Sequence, residues 1–308
     1  MKTRRFDILV VGEINPDLIL SGNVTPAFGQ VEKLVDDAAL TVGSSAAIFA
    51  CGVARLGLKV AFIGKVGADL FGDFMRNTLE QRGVATCGII IDPGVHTGLS
   101  VILNRGNDRA ILTYPGAIPS LRLAEIDQTL LAQSRHLHLT SYFLQDALRG
   151  DVPALFDLAH QAGTSVSLDT NFDPQERWDS SLAQALHRSD IFLPNAAECC
   201  AIARTPDLDL AIQQLAGQVS ILAVKLGTQG AVLRQGDTII RAEAIPVDVV
   251  DTIGAGDSFD AGFLFGYLSG WELERALHLA VACGSLSTRQ AGGIAAQPHL
   301  QEALSYIQ

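Results

Sequence analysis

Short apolar runs rich in strand-forming residues alternate with segments of helical period along most of this chain. Strands separated by helices form crossover units, in which the strands run parallel and helices cover both faces of the sheet. The alternation therefore predicts an α/β fold built on a mainly parallel sheet. The expected strands are residues 6–11, 60–63, 137–140, 165–168, 191–193 and 221–224. The expected helices are residues 45–56, 70–81, 152–161 and 208–215.

Two segments break this alternation. Residues 18–39 contain Pro26 and Gly29 and show no helical period. Residues 97–114 have the pattern of a hairpin that turns at residues 105–108. Neither segment fits a crossover unit. The two either pair as a small sheet beside the main one or extend its edge, and the periodicity is compatible with both.

The composition limits the classes of function. The chain has 308 residues, of which 48% are apolar and 18% charged, and this suits a well-buried globular core. The net charge of −11 comes without a basic stripe and argues against a nucleic acid or an anionic membrane as partner. No apolar run reaches the ~20 residues of a membrane span, and the first run is too short for a signal peptide. Five scattered cysteines without a C-x-x-C pair indicate reduced thiols in a cytoplasmic protein.

The most informative motif is a glycine-rich loop at residues 251–257, with the sequence Asp-Thr-Ile-Gly-Ala-Gly-Asp. It follows a β-like run that ends at Val250 and precedes an apolar helical stretch at residues 261–268. Its glycines allow a sharp bend and a close approach to a ligand. The first N–H groups of a helix are unpaired and its dipole favours an anion, so the loop is a candidate phosphate cradle.

An ordinary helix cap is the alternative interpretation of the same loop. Asp257 would stabilise a first helical turn whether or not a ligand binds. The loop lacks the third glycine of G-x-G-x-x-G, and no G-x-x-x-x-G-K-[ST] motif occurs in the chain. The loop alone therefore leaves both interpretations open.

Extended to Gly262, the loop resembles the signature of the ribokinase-like (PfkB) carbohydrate kinases, Asp-Thr-x-Gly-Ala-Gly-Asp-x-Phe-x-x-Gly. Residues 12–17, 43–57, 195–198 and 225–230 resemble four further elements of that family and occur in its order. The resemblance covers the whole chain. It implies one kinase domain over residues 1–308, a three-layer α/β/α sandwich with a mainly parallel central sheet. A small β-sheet lid would be inserted from about residues 17–40 and 97–115.

The resemblance also implies the catalytic residues. Asp257 would be the general base, and the backbone amides of Gly254, Ala255 and Gly256 would form the anion hole for the transferred phosphoryl group. In phosphoryl transfer the charge spreads over the equatorial oxygens, which fixed N–H dipoles and Mg²⁺ stabilise. A carboxylate that accepts the hydroxyl proton adds about 10²–10⁴-fold to the rate.

On the nucleotide side the resemblance implies five residues, each with a simpler alternative. Glu198 would hold Mg²⁺ through water, since Mg²⁺ keeps much of its hydration shell, or would be a solvated helix-face carboxylate. Asn195 would contact phosphate or cap the helix that it precedes. Lys225 would face the nucleotide or end a strand in solvent. Gly227 and Gly230 would serve the ligand or the turn itself.

On the sugar side Asn15 and Asp17 would bind hydroxyl groups, although Asn-Pro-Asp is also a turn signal. Gly43 and Ser44 would let the backbone approach the sugar. Tyr114 is a candidate for stacking on a sugar ring, and packing is its alternative.

Two departures from the family pattern bear on the acceptor. Ile48 stands where the second signature usually has Asn, and this disfavours a simple ribose site. Residues 169–173 resemble the Asp-x-Asn-x-Arg element of sugar-acid kinases and make Asn171 a candidate substrate contact, but Asp173 replaces the Arg. Without that bidentate Arg, sugar acids and sugar phosphates are disfavoured. Asp251, with Ile253 and residues 285–292, resembles a monovalent-cation loop.

The sequence therefore predicts an ATP- and Mg²⁺-dependent kinase that phosphorylates a hydroxyl of a small neutral sugar. The resemblance to a monovalent-cation loop leaves a cation such as K⁺ open as an activator. A nucleoside kinase on the same fold is the alternative. The intact anion loop disfavours a silent sugar-binding protein.

The apolar pattern of Leu99, Val101 and Ile111 is compatible with a homodimer through the lid and with packing against the core. His136 and His138 lack a third ligand, so a metal site there is disfavoured.

Overall fold

The structure is a computed structural model that describes residues 4–105, 108–178 and 181–307. The strands are β1 (Phe6–Val11), β2 (Pro16–Ser21), β3 (Asp37–Val42), β4 (Val60–Gly67), β5 (Ala85–Asp92), β6 (Leu99–Arg105), β7 (Asp108–Tyr114), β8 (Ser134–Leu139), β9 (Ser165–Leu168), β10 (Ile191–Phe192), β11 (Ile221–Lys225), β12 (Ala231–Gln235) and β13 (Thr238–Ala242). The helices are α1 (Ser45–Leu56), α2 (Leu70–Gln81), α3 (Gln128–Ala132), α4 (Asp146–Arg149), α5 (Val152–Gln161), α6 (Ser181–Leu186), α7 (Ala196–Ala203), α8 (Leu208–Ala216), α9 (Ala255–Leu268), α10 (Leu273–Ser287) and α11 (Leu300–Leu304).

A large sheet forms the centre of the molecule, with the strand order β13-β12-β11-β10-β9-β8-β1-β4-β5. The strands from β11 through β5 pair in parallel, while β12 and β13 pair antiparallel at one edge. Parallel strands place their carboxyl ends at the same edge of a sheet, where ligands of open α/β folds bind. The predicted mainly parallel α/β fold is confirmed.

Both faces of the large sheet are buried, which explains why its strands are apolar almost without interruption. In β1, Ile8 and Val10 pack on one face with residues of α1, α9 and α10, including Phe49. Leu9 and Val11 pack on the other face with residues of α5 and α8, including Phe156. The sheet therefore lies between two helical layers, as the sequence predicts.

The two segments that break the alternation form a separate four-stranded sheet, called the small sheet below, in the order β3-β2-β6-β7. The strands β2 and β6, one from each segment, pair in parallel. This confirms the interpretation as a small sheet and shows that the edge-extension alternative is wrong. Residues 106 and 107, in the predicted hairpin turn, lie outside the described residues.

The small sheet has two different faces because side chains alternate along each strand. One cross-strand row is polar and consists of Thr41, Asp17, Ser100 and Thr113. The next row along the strands points to the opposite face, is apolar and consists of Leu40, Leu18, Val101 and Leu112. Ile111 pairs with the buried Ile102 and belongs to the polar row's face, so its predicted grouping with Leu99 and Val101 is wrong.

No helix in the described part of the chain is long and apolar enough to span a membrane.

Candidate active site

The glycine-rich loop leads into α9 at the carboxyl edge of the large sheet. Gly254 is the N-cap and has φ +71°, a conformation that favours glycine. A Cβ atom at this position would lie 2.9 Å from the Cα atom of Gly293, so a side chain has no room. Within the described residues, the amides of Gly254 and Gly256 have no hydrogen-bond partner, while that of Ala255 donates to Thr252 O at 3.3 Å. The positive end of the helix is therefore available to an anion.

Asp257 lies in the first turn of α9 and is buried. Burial raises the pKa of its carboxyl well above the usual range, and the negative charge of Asp169 adds to the effect. The Lys225 ammonium and a hydrogen bond with Ser45 act in the opposite direction. Asp257 directly follows Gly256, whose Cβ position lies 3.4 Å from Lys225 Nζ, and its carboxyl is hydrogen-bonded to Ser45 at the start of α1.

Glu13, which the sequence reasoning missed, organises the start of α1. Its Oε1 atom accepts hydrogen bonds from Ser45 N at 2.7 Å and from Ser141 Oγ at 2.8 Å. Burial raises the pKa of Glu13, and these hydrogen bonds oppose the shift. Its position just after the buried strand β1, from which only Gly12 separates it, is the signal that could have identified it.

The predicted sugar residues Asn15, Asp17 and Gly43 lie together. A Cβ atom at Gly43 would lie 2.1 Å from Asp17 Oδ1, so the missing side chain lets the carboxylate rest against the backbone. Asn15 Nδ2 approaches Ser100 Oγ at 3.5 Å. Burial raises the pKa of Asp17 to about 7, and a hydrogen bond from Ser100 opposes the shift. Asp17 belongs to β2, so the alternative of a simple turn is wrong.

The remaining sugar-side residues differ in position. Ser44 has φ 63° and caps α1, with its side chain accepting from Ala47 N at 3.2 Å. Asn171 Nδ2 donates to Ser141 Oγ at 2.9 Å, and Ser141 also contacts Glu13, so Asn171 joins the same polar group. Tyr114 is 54% exposed. It follows Thr113 on β7 and therefore points to the other face of the small sheet, away from the polar row.

A cleft of about 520 Å³ adjoins the loop on its other side. The predicted nucleotide residues Lys225, Gly227 and Gly230 line it together with Ala255 and Gly256. Its apolar walls, which the sequence reasoning missed, are formed by Ile245, Pro246, Val247, Val249, Phe259 and Val281. An apolar wall beside an anion-binding helix end suits a ligand with a flat ring and phosphates.

Gly227 and Gly230 serve both the turn and the cleft. They have φ +58° and +87° respectively. A Cβ atom at Gly230 would lie 1.9 Å from Ala242 O, whereas no atom lies within 4 Å of one at Gly227. The tight approach of β13 therefore requires glycine at 230, and the backbone conformation favours it at 227.

Lys225 is held by two carboxylates. Its Nζ atom donates to Asp169 Oδ2 at 2.7 Å and approaches both carboxylate oxygens of Asp260 at 3.2 Å. Burial disfavours the ammonium, but the charges of Asp169 and Asp260 outweigh burial and raise the pKa of Lys225. The side chain is 12% exposed, so the alternative in which it ends a strand in solvent is wrong. Asp260 was not predicted as a site residue.

Asn195 and Glu198 form a capping box at the start of α7. Asn195 Oδ1 accepts from Glu198 N, and Glu198 Oε2 accepts from Asn195 N, both at 2.9 Å. This confirms the capping alternative for Asn195. Glu198 is buried, so its alternative as a solvated carboxylate is wrong. Burial, together with the negative charge of Asp169, raises its pKa to about 7.

Asp251 anchors the loop on the side of the small sheet. Its Oδ2 atom accepts from Gly292 N at 2.9 Å, and its Oδ1 atom accepts from Ile253 N at 3.0 Å. Arg109 of β7 approaches the same Oδ1 atom at 3.4 Å. In the predicted monovalent-cation loop, the carboxylate of Asp251 is therefore already paired with the guanidinium of Arg109.

The two departures from the expected motifs have structural explanations. Asp173 is buried and accepts hydrogen bonds from the amides of Gln175, Arg177 and Trp178, so it fixes its own loop. Ile48 fills space against the anion loop, because its side-chain atoms lie 2.8 Å from the Cβ position at Gly254 and 2.4 Å from the Cβ position at Gly293.

The fold and the site define a ribokinase-type phosphotransferase. Residues 5–300 match the model of the pfkB family carbohydrate kinases. An ATP-dependent ribose-1-phosphate kinase from Halopiger xanaduensis is 31% identical over 92% of this chain and 93% of its own length. A fructokinase from Salmonella typhimurium is 32% identical over 84% and 90% respectively. The chain belongs to the PfkB family of carbohydrate kinases, and its reaction is phosphoryl transfer to a sugar hydroxyl.

Solved structures agree with this assignment. An E. coli ribokinase-like protein in complex with ATP and Mg²⁺ superposes with a TM-score of 0.87 at 26% identity and covers 98% of this chain and 99% of its own. An adenosine kinase from Sinorhizobium meliloti gives a TM-score of 0.85 at 26% identity and covers 98% of both chains.

Proposed function

We propose that this protein transfers the γ-phosphate of ATP to a hydroxyl of a small neutral sugar, with Asp257 as general base. The observation that carries the proposal is the position of Asp257. It follows Gly256, whose Cβ position lies 3.4 Å from Lys225 Nζ at the nucleotide cleft. Its carboxyl is hydrogen-bonded to Ser45, whose amide binds Glu13 of the polar sugar-side group at 2.7 Å. A base must reach both the acceptor hydroxyl and the transferred group, and this place allows it.

The charges around the sugar-side group support a neutral acceptor. Asp17 and Glu13 are acidic. The nearby cations of the described residues are paired, Lys225 with Asp169 and Asp260, and Arg109 with Asp251. Burial already disfavours the charged forms of Asp17 and Glu13 and raises the pKa of both. A carboxylate or phosphate on the sugar would therefore add negative charge to this buried acidic group without a free bidentate partner. Hydroxyl groups, in contrast, can donate to Asp17 and bond to Asn15, Asn171 and backbone groups at Gly43 and Ser44.

Glu198 fits a magnesium ion that travels with ATP. It does not line the cleft itself, but its capping partner Asn195 pairs with Lys225, which does. Among the described residues, no three His, Cys, Asp or Glu side chains form a metal site of their own. Mg²⁺ commonly uses one or two carboxylates, several waters and the phosphates of its nucleotide. In the capping box only the Oε2 atom of Glu198 accepts a hydrogen bond. Its Oε1 atom has no hydrogen-bond partner within the described residues. Glu198 would hold the ion through water, and the ion would offset charge on the phosphates.

We also propose that the small sheet closes over the sugar as a lid and that its outer face pairs with a second copy of this chain. The polar row of the small sheet contributes Asp17 to the sugar group, so this face covers the substrate. The opposite row is apolar, and Leu112 and Leu40 in it are 62% and 41% exposed. An exposed apolar row of this kind is a candidate interface. A cytoplasmic location is in keeping with the five free cysteines.

Light scattering coupled to gel filtration tests the proposed pairing of two copies, because it measures the mass of the protein in solution. Leu112→Glu should convert a dimer to a monomer. Ile239→Glu, an exposed apolar residue on β13, is the matched control and should leave the dimer intact. A monomeric wild-type protein would contradict the pairing.

A panel of acceptors tests the reaction. Coupled ADP release should be measured with fructose, ribose, a sugar acid, ribose 1-phosphate and adenosine. Turnover with a neutral sugar that exceeds turnover with the charged ones supports the proposal. Turnover with adenosine alone would replace it with the nucleoside kinase alternative, and binding of sugar without ADP release from any acceptor would contradict a kinase.

A further inference from the structure

The hydrogen bonds of Lys225 account for two of the three protons of its ammonium group. One goes to Asp169 Oδ2 at 2.7 Å, and a second is shared between the two oxygens of Asp260 at 3.2 Å each. Within the described residues, the third proton has no partner. An ammonium that is held on two sides has a fixed position, and its remaining donor has a fixed direction.

Lys225 lies directly against the anion loop. A Cβ atom at Gly256 would lie 3.4 Å from Lys225 Nζ, so the ammonium lies beside the first turn of α9. Lys225 and Gly256 both line the nucleotide cleft. The ammonium therefore adds to the positive end of the helix at the place where the amide of Gly256 is also free.

The two carboxylates that hold Lys225 come from separate elements. Asp169 follows β9, and Asp260 lies on α9, one turn after Asp257. Both are buried to 1% exposure and neither is reached by the cleft. Because Asp260 and Asp257 are on the same rigid helix, the position of the lysine is fixed relative to the general base.

We propose that Lys225 donates its third hydrogen bond to the phosphoryl group during transfer, and that Asp169 and Asp260 are positioning residues that hold the ammonium for this purpose. The proton stays on nitrogen, so no bond to it is made or broken. The inference rests on the proposed function. It adds a fixed cation, the Lys225 ammonium, to the loop amides that stabilise the transferred group. A cation that is already in place stabilises developing charge without reorganisation during the reaction.

A double-mutant cycle between Asp260 and Lys225 tests the inference. Asp260→Asn should lower kcat about 10- to 100-fold with little change in the KM for sugar, and Lys225→Met should lower kcat about 10²–10³-fold, as for loss of one transition-state donor. In the Lys225→Met background, Asp260→Asn should have almost no further effect on kcat, because it acts through the missing ammonium.

Glu125→Gln is the matched control. Glu125 pairs with another buried lysine, Lys65, at 2.7 Å, in a pair that does not line the nucleotide cleft. This variant reports what loss of a lysine's carboxylate partner does to stability. Thermal unfolding of each variant shows that the kinetic effects come from folded protein.

A second measurement does not depend on turnover. Binding of ADP with aluminium fluoride and Mg²⁺, which imitates the group in transfer, should weaken in Asp260→Asn far more than binding of ADP with Mg²⁺. If Lys225→Met does not fold, this comparison in the single Asp260 variant decides the inference. Equal weakening of both ligands would overturn it.

The positioning role would be overturned if Asp260→Asn had the kcat of the wild type. It would also be overturned if Asp260→Asn lowered kcat as much in the Lys225→Met background as it does alone. In both cases sugar phosphorylation by the wild type would leave the proposed function intact. Failure of the wild type to phosphorylate any sugar would instead contradict the proposed function. The two failures are therefore distinguishable.

Discussion

The guanidinium of Arg109 lies 3.4 Å from the carboxylate of Asp251 and so joins the small sheet to the loop that leads into α9. Asp251 is only 8% exposed, and two backbone amides bind the same carboxylate. A movement of the small sheet is therefore transmitted to a carboxylate that is fixed to the anion loop.

Arg109→Gln should weaken the coupling between the two substrates. In the proposed closure the sugar draws in the small sheet and Arg109 then helps to order the loop that binds phosphate, so each ligand should strengthen binding of the other. We expect wild-type coupling of about 5-fold or more, and a value near one in the variant. The measurement is calorimetric binding of a non-hydrolysable ATP analogue with and without sugar.

Arg105→Gln is the control for this prediction. Arg105 lies on the same hairpin, but its charged partner is Asp108, at 3.9 Å, and both side chains are well exposed. Coupling should stay at the wild-type value. Loss of coupling in both variants would show that the general charge of the hairpin, and not the contact with Asp251, is responsible.

Asp257→Asn should lower kcat by about 10²–10⁴-fold, the usual contribution of a general base, and leave ATP affinity unchanged. The amide cannot accept the hydroxyl proton, while the loop amides still bind phosphate. Asp209→Asn changes an acid in the first turn of another helix, α8, and should behave as wild type. Steady-state kinetics and ATP titration check both, and near wild-type kcat in Asp257→Asn would remove it from the mechanism.

Gly254→Ala should destabilise the protein and abolish phosphate binding. Its φ of +71° strains any residue with a side chain, and the added Cβ would collide with Gly293. Gly236→Ala separates the two causes, since Gly236 has φ +57° but no atom within 4 Å of its Cβ position. The control should lose about 1–2 kcal/mol from backbone strain alone. Urea unfolding measures both, and equal losses would show that the collision has no effect.

The stability of the protein should depend on pH through His136 and His138. Both are buried and hydrogen-bonded to Ser167. Burial lowers the pKa of His138 to about 3 from the usual 6.5, and the pKa of His136 is also well below 6.5. Below pH 6.5 the unfolded chain therefore binds protons that the folded chain does not, so stability is complete above that pH and falls as the pH is lowered.

Once the pH is well below 6.5, each buried histidine should lower the free energy of unfolding by about 1.4 kcal/mol for every further pH unit. Urea unfolding at several pH values should show a smaller pH dependence in His138→Gln than in wild type. His187→Gln removes an exposed histidine and should leave the wild-type slope. An unchanged slope in His138→Gln would contradict a neutral His138.

Much of the large sheet follows from the sequence because its strands are short apolar runs between helices. The helix at residues 45–56 agrees with α1 at both ends, since Ser44 caps it and Gly57 ends it with φ +105°. The antiparallel strands β12 and β13 were not predicted. In β12 only Ala231, Val232 and Leu233 are buried, and β13 is mostly exposed, so neither strand has the long apolar run of a doubly buried strand.

The site was harder to predict where it depends on contacts between distant segments. The loop around Gly254 is visible because glycines and an acid follow one another. Asp260 has no such mark, and its function is apparent only when β9, β11 and α9 bring it to Lys225. The apolar wall at residues 244–249 belongs to no helix or strand, so no periodicity indicates it.

The connections of the small sheet restrict how it can move. Its strands are joined to the rest of the protein by residues 12–15, 43–44, 93–98 and 115–117. These connections lie together in two pairs, because Gly43 N donates to Asn15 O at 3.1 Å and Ala117 N donates to His96 O at 2.9 Å. A flap on one tether could swing freely, but a body attached at two paired points can rock only about the line that joins them. Opening should therefore be a rotation of small amplitude, and the entropy lost when a sugar arrests it should be correspondingly modest.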